Sequence, residues 1–266
     1  MIDDLRVKPG DAAGLAERAT DDKLGLTKKS AKDELTRLTA EVADLQARFA
    51  AEASHGLLLV LQAMDAGGKD GTIRTALTGL NPQGARVHGF KSPAGDEAQH
   101  DYLWRVHDVC PAKGEITIFN RSHYEDVLVV RIHALVPEKR WRARYQHIRE
   151  FERLLADEGT VVVKCMLHIS ADEQKVRLQE RIDDPTKRWK FRPGDLDDRK
   201  RWDEFQAAYE DALTETSTEW APWYVIPGDR NWVRDVAVLN VLVHHLAKLD
   251  PQYPKADPAI VGLKVT

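Results

Sequence analysis

The run LLLVLQAMDAGGKDGTI, residues 57 to 73, constrains this chain more than any other. Leu57 to Leu61 are continuously apolar and bounded by polar residues, which predicts a strand buried on both faces. A turn built on Gly67, Gly68 and Gly71 follows, with Lys69 inside it, and Thr72 to Leu80 continue as a helix. Strand, glycine-rich turn with a lysine, then helix is an arrangement that cradles phosphates. Glycines let backbone N–H groups approach the anion, the helix N-terminus adds partial positive charge, and the lysine supplies a full one. Gly67, Gly68, Lys69, Asp70, Gly71 and Thr72 are therefore the candidate phosphate-binding residues.

The match to the common phosphate loop, G-x-x-x-x-G-K-[ST], is partial. Ala63 stands where the first glycine should be, Asp70 where the hydroxyl should be, and Thr72 comes two positions late. The alternative is a strand-to-helix turn whose lysine is merely solvated. Asp65 bears on that choice. An acid at the strand's end would sit beside bound phosphates, which is costly unless a metal lies between them. The loop thus points to a magnesium phosphate site with Asp65 as a metal ligand.

With 266 residues, the chain can bury a full core as one large domain or a domain with appendages. It is 42% hydrophobic and 31% charged, with a mean hydropathy of −0.47. No apolar run approaches the roughly 18 residues of a membrane span, and MIDDLRVKPG lacks the pattern of a secretory signal. Two cysteines, Cys110 and Cys165, are too few for a disulfide framework, so a cytoplasmic setting is expected. No nucleic-acid or membrane partner is expected either. A net charge of −4 does not exclude an anionic ligand, because clefts focus local charge. Basic residues cluster at 139 to 153 (Lys139, Arg140, Arg142, Arg144, Arg149, Arg153) and again at 175 to 201.

Residues 1 to 30 show no sustained periodicity and are expected to lie over the surface as an arm. Leu35, Leu38, Val42, Leu45 and Phe49 step as an amphipathic helix, with Ser30 and Asp33 resembling a capping box at its start. Strands are expected at 57–61, 85–90, 115–119, 160–168 and 223–227, and helices at 97–106, 137–155, from 170, along the stripe Trp202, Phe205, Tyr209 and Leu213, and at 232–249. Strands separated by helices predict an α/β fold with a parallel sheet covered on both faces. The histidines lack partners at metal spacing, and the tryptophans read as core.

Two further stretches join the loop. IFNRSHYED, residues 118 to 126, begins at the end of an apolar strand, so Asn120, Arg121 and Ser122 should face the same crevice as Lys69. Arg121 is suited to neutralising a transferring phosphoryl group; the alternative is an arginine paired with Glu125 or Asp126. ERIDDPTKRWKFRPGDLDDRKRW, residues 180 to 202, sets Lys187, Arg188, Lys190 and Arg192 around Trp189 between two helix breaks. Such a segment suits a lid that brings cations over phosphates, or else is a solvated charged hairpin.

Together these stretches resemble the polyphosphate kinase 2 family. Its pattern runs G-x-D-x-x-G-K-x-x-x-I, then a strand ending in (D/N)-R-S-x-Y, then a lid with K-x-W-K. This chain carries Asp65, Gly68, Lys69 and Ile73; then Asn120, Arg121, Ser122 and Tyr124; then Lys187, Trp189 and Lys190. Ala63 and Asn120 depart from the commoner glycine and aspartate. LQAMDAGGKDGTIR and FNRSHYEDVLVV are similar to the single-domain class III, which uses AMP as well as ADP.

The resemblance runs from about residue 31 to the last helix. It implies a P-loop kinase fold, a three-layer α/β/α sandwich similar to thymidylate kinase, with a five-stranded sheet and a helical lid at about 180–202. Residues 31–266 would then be one domain behind the arm at 1–30. It implies reversible phosphoryl transfer from inorganic polyphosphate to AMP and ADP, with GMP and GDP as further acceptors and ATP among the products. Mg²⁺ is the implied cofactor, with Mn²⁺ as an alternative, and a homo-oligomer, dimer or tetramer, the implied assembly. Lys69 and the loop backbone would hold shared phosphates, and Asp65 the metal, with Asn120 reaching it through water. Arg121 and Arg181, the latter carried over from the family's arginine at the lid base, would stabilise the transferring group. Lys187, Arg188 and Lys190 would close over it, and Ser122, Tyr124 and Glu125 complete the second motif. Two other readings stand beside this one: an ATP-dependent nucleoside monophosphate kinase, and a non-catalytic polyphosphate-binding protein.

Overall fold

The structure is a computed structural model and describes residues 2–265. An apolar run without a polar face is stable only between two covering layers, and the run at 57 supplies the central strand of such an arrangement. The strands are β1 (Gly56–Ala63), β2 (Ala85–Gly89), β3 (Ile116–Asn120), β4 (Thr160–His168) and β5 (Trp223–Pro227), in the order β2-β3-β1-β4-β5. Every pairing is parallel, with Leu59 opposite Ile118 on one side and Val163 on the other. The side-chain period of two then splits β1 between the layers. Leu57, Leu59 and Leu61 join one apolar cluster, and Leu58 and Val60 the other.

The helices are α1 (Ile2–Leu5), α2 (Lys28–Glu52), α3 (Lys69–Leu77), α4 (Trp104–His107), α5 (Val129–Ile132), α6 (Glu138–Asp157), α7 (Ala171–Asp183), α8 (Gly194–Lys200), α9 (Trp202–Thr216) and α10 (Asn231–Leu249). Helices α2, α3 and α10 supply the first cluster, and α5, α6 and α9 the second, giving the expected α/β/α sandwich. The amphipathic stripe of α2 (Leu38, Val42, Leu45, Phe49) is buried, and α10 buries residues around most of its circumference because it lies between α2 and the sheet.

Three local expectations change. The cap of α2 is Thr27, not the Ser30–Asp33 pair: Thr27 Oγ1 accepts from the Ser30 N–H at 3.1 Å, and Ser30 Oγ accepts from the Thr27 N–H at 2.9 Å. The helix expected at 97–106 is a 3₁₀ turn at Gly95–Gln99 followed by the short α4, because the Asp101 carboxylate takes the Leu103 N–H at 2.9 Å and turns the chain between them. The N-terminal segment is docked rather than laid over the surface. Leu5, Val7, Ala13 and Leu15 are buried, and Arg6 forms an antiparallel bridge with Tyr224 on the outer edge of β5. Among the described residues no helix is long and apolar enough to cross a membrane.

Strand order reverses beside β1, and ligands of open parallel sheets bind beyond the carboxyl ends of the strands at such a point. The loops after β1 and β3 therefore border one crevice.

Candidate active site

The loop after β1 is tight. Ala66 and Gly68 both take left-handed backbone (φ 62° and 99°), and Gly68 is the N-cap of α3 with no side chain closing the cap. The first N–H groups of α3 are thus left for a ligand, the arrangement that favours an anion. The helix begins at Lys69, three residues earlier than the sequence suggested. At Gly67 a Cβ would overlap the methyl of Ala63 and lie 2.8 Å from the Met64 carbonyl oxygen. Ala63, in the place of the expected glycine, is therefore packed against the loop.

Lys69 leads α3, and its Nζ donates to the Ala63 carbonyl at 2.8 Å, so the ammonium curls back over its own loop. Burial, helped by the Arg121 guanidinium, pulls its pKa down to about 8 against the opposing effect of Asp65, Glu125 and Asp70. A lysine so placed is partly stripped of water and holds only a carbonyl. A phosphate is a better partner.

Asp65 and Arg121 face one another across the ends of β1 and β3. Arg121 Nη2 donates to Asp65 Oδ1 at 3.0 Å, and Nη1 lies 3.7 Å from Glu125 Oε2. Glu125 and Asp65 raise the affinity of Arg121 for its proton, while burial raises the Glu125 carboxyl. Asp126 is not its partner, being bound to Arg144 at 2.9 Å. Arg121 itself has φ 62°, strained for a side chain of this size, and such strain persists where surrounding structure imposes it. The cleft beside this pair is lined by Gln174, Phe205 and Tyr209 as well.

One lid cation reaches the loop. Lys190 Nζ donates to Asp70 Oδ2 at 2.7 Å, and Asn120 Nδ2 donates to Asp70 Oδ1 at 3.3 Å. The Lys190 hydrogen bond, more than any other influence, holds the Asp70 carboxyl below its usual range. Asp70, expected among the phosphate-binding residues, thus carries a carboxylate that bridges lid and second motif.

The other expected residues lie apart from this centre. Ser122 is buried, its Oγ accepting from Gln62 Nε2 and the Tyr124 N–H. Tyr124 is fully buried, its hydroxyl within hydrogen-bond distance of Glu152 at 2.8 Å and Thr216 at 2.9 Å on the α6–α9 face, so it supports the second motif from beneath. Thr72 turns its hydroxyl to Asp235 at 3.4 Å rather than to the loop mouth. Arg181 Nη1 lies 3.6 Å from Asp195 Oδ2 inside the lid. Lys187 pairs with Asp184, and Arg188 donates to the Ile182 carbonyl. Trp189, expected in the core, is 76% exposed. The basic run at 139–153 is largely neutralised where it stands: Arg142 by Glu138, Arg144 by Asp126, Arg149 by Glu215 and Arg153 by Asp157. It offers little counter-charge to a polyanion.

Residues that sequence reasoning passed over crowd the loop. Gln174 Nε2 donates to the Asp65 carbonyl at 3.0 Å and Arg177 Nη1 to the Ala66 carbonyl at 3.2 Å. The Arg234 guanidinium fills the space beside Gly68. A signal existed for Arg234: it lies about one turn into α10, close to the positive end of that helix, where a cation is disfavoured.

Among the described residues no three His, Cys, Asp or Glu side chains converge as a ligand set. Magnesium does not need one, since it is commonly held by one or two carboxylates together with substrate phosphates and water. Asp65 fits that role, beside the loop and with the Asp195 and Asp198 carboxyls near enough for its charge to help raise them.

The model of the polyphosphate kinase 2 family matches residues 25–254. This chain belongs to the polyphosphate kinase 2 family. It is 58% identical over 232 residues to the AMP/ADP-polyphosphate phosphotransferase of Meiothermus ruber, a span of 87% of each chain. It is 44% identical over 239 residues to the ADP-polyphosphate phosphotransferase of Rhodopseudomonas palustris, covering 85% of this chain and 83% of that one. The crystal structure of polyphosphate kinase 2 from Arthrobacter aurescens TC1 superposes with a TM-score of 0.91 at 42% identity, over 95% of this chain and 91% of that one. Like that relative, the chain has the α/β sandwich of a polyphosphate kinase 2, and it is a phosphotransferase of that type.

Proposed function

We propose that this chain transfers a phosphoryl group from inorganic polyphosphate to AMP and ADP, reversibly, as a class III member of its family. The observation that carries this reading is the convergence of Lys69, Asp65 and Arg121 at the carboxyl ends of β1 and β3, in a family whose relatives here include an AMP/ADP-polyphosphate phosphotransferase. Phosphoryl transfer asks a protein mainly for positioning and charge neutralisation. The open N–H groups of α3 and the Lys69 ammonium bind phosphate oxygens, and Arg121 leaves Asp65 to meet charge on the transferring group.

Asp65, released from Arg121, would hold Mg²⁺ or Mn²⁺, with Asn120 reaching it through water. A cation held there would supply charge neutralisation to the phosphate oxygens. No general base is needed, because a nucleotide phosphate is already ionised near neutral pH. Lys190 is the lid residue best placed to exchange Asp70 for phosphate, with Arg181, Lys187 and Arg188 following as the lid closes. GMP and GDP are further acceptors, the setting is cytoplasmic, and the working form is a homo-oligomer.

The test is turnover of AMP, ADP or GDP with long-chain polyphosphate and Mg²⁺, without ATP. ADP and ATP formed from AMP are expected. Product from ADP alone removes the class III assignment. Turnover only when ATP is the donor moves the chain to nucleoside monophosphate kinase activity, and salt-sensitive binding without turnover makes it a binding protein.

A further inference from the structure

Behind the phosphate loop lies a second basic layer that the transfer chemistry above does not use. Arg234 of α10 is 3% exposed. Its Nη1 donates to Asn231 Oδ1 at 2.7 Å, and its Nε and Nη2 donate to Asp235 Oδ1 at 2.9 and 2.8 Å. The guanidinium occupies the place a Gly68 Cβ would take, with Cζ 2.8 Å from that position, and Nη2 is 3.1 Å from where a Gly71 Cβ would lie. Two loop glycines are therefore backed by one buried arginine.

The anchors of Arg234 also grip the loop's helix. The Asp235 carboxylate accepts from Thr72 Oγ1 at 3.4 Å and Thr75 Oγ1 at 3.2 Å, both on α3. Asn231 Oδ1 accepts in addition from Arg177 Nη2 at 3.2 Å, and Arg177 is the residue that holds the Ala66 carbonyl. Loop, α3, α7 and α10 thus meet in one hydrogen-bonded cluster.

Each guanidinium has its own carboxylate, Asp235 for Arg234 and Glu173 for Arg177, so the excess positive charge around Gly68 comes from the N-terminal turns of α3 and α10. Burial makes Arg234 a poorer proton holder even with Asp235 beside it, and its Nη1 keeps only the neutral Asn231 Oδ1. An anion in the loop would offset that excess.

We propose that Arg234, seated by Asn231 and Asp235, is a positioning residue of the phosphate loop: it sets the path of Gly68–Gly71 and supplies charge that an incoming oligophosphate neutralises. The proposal rests on the loop being the polyphosphate site. The experiment is calorimetric titration of the full chain with inorganic tripolyphosphate at low and moderate salt, alongside thermal unfolding. Arg234→Met should weaken binding by about tenfold and flatten its salt dependence, while Arg234→Lys recovers part of the loss. Should Arg234→Met fail to fold, Asp235→Asn and Thr75→Val carry the test, each expected to weaken binding severalfold in a folded protein. Folded variants that bind tripolyphosphate with wild-type affinity and salt slope would overturn the role of Arg234. Identical binding by wild type and Lys69→Ala would instead overturn the loop as the phosphate site, and this role with it.

Discussion

Two lysines in this protein share one electrostatic condition and opposite surroundings. Burial draws both Lys69 and Lys164 down to about 8. Lys164, on β4, is enclosed by partners: Glu152 Oε2 at 2.5 Å, the Tyr124 hydroxyl at 2.9 Å and the Thr216 carbonyl at 2.8 Å, with Glu152 also held by His123. Every donor is used, and the group is fully buried. Lys69 has one carbonyl at 2.8 Å and carboxylates that act on it only at a distance. The same desolvation serves structure in one place and leaves capacity for a ligand in the other. Saturation separates the two, together with exposure: Lys164 is sealed in, and Lys69 is only half-buried.

The largest effect expected of breaking this contrast is on stability. Lys164→Met leaves Glu152 buried without its cation, and loss of one partner of a buried pair costs about 3–5 kcal/mol. Denaturant unfolding should show it, while turnover per folded molecule at low temperature changes little; a variant as stable as wild type would mean the network is not the support it resembles. Lys69→Ala or Arg121→Ala should do the reverse, lowering turnover by about 10²–10³-fold with little loss of stability. Near-wild-type rates in either would remove that residue from the site.

The third effect is a titration. Lys69 is cationic below about pH 8 and neutral above it, and a neutral amine cannot offset phosphate charge. The KM for polyphosphate should therefore hold near neutrality and climb above pH 8, toward about tenfold per pH unit, with the midpoint displaced upward when polyphosphate is bound. In Lys69→Arg the rise should vanish; a profile identical to wild type would place the titrating group elsewhere. The smallest effect concerns the lid. Asp70→Asn frees Lys190 from an exposed pair of the kind that contributes about 0.2–1 kcal/mol, so the KM for polyphosphate should fall, by up to about fivefold. A KM that rises would show that Asp70 helps binding rather than competing with it.

What was legible in the sequence follows from range. Leu57–Leu61 announced a doubly covered strand because its pattern is contiguous, and β4 and β5 were placed to the residue for the same reason. Lys69, Asp65 and Arg121 could be expected to meet because they sit in short motifs at strand ends, and the fold brings them together. The left-handed backbone of Arg121, which lets its side chain span Asp65 and Glu125, is set by neighbours on β1 and has no local signature. Ser122, expected to face the crevice, is buried against Gln62, since a motif reveals proximity in the chain and not which way a hydroxyl turns. The basic run at 139–153 misled because helical spacing placed acids at Glu138, Asp157 and the facing Glu215 to absorb it. Arg177 and Arg234 come from helices more than a hundred residues beyond the loop, so their approach to it appears only once folded, although the unfavourable place of Arg234 near the start of α10 marks it.

The docking of the first residues against β5 has a consequence for assembly. With Arg6 bridged to Tyr224 and the Val7 N–H donated to the Trp223 carbonyl, that border of the sheet is covered at its start, whereas β2 at the other border leaves Arg86 and Val87 exposed. A sheet with one open border can join a second through it and then has no border left to offer. Growth by strand addition is then disfavoured on the β5 side.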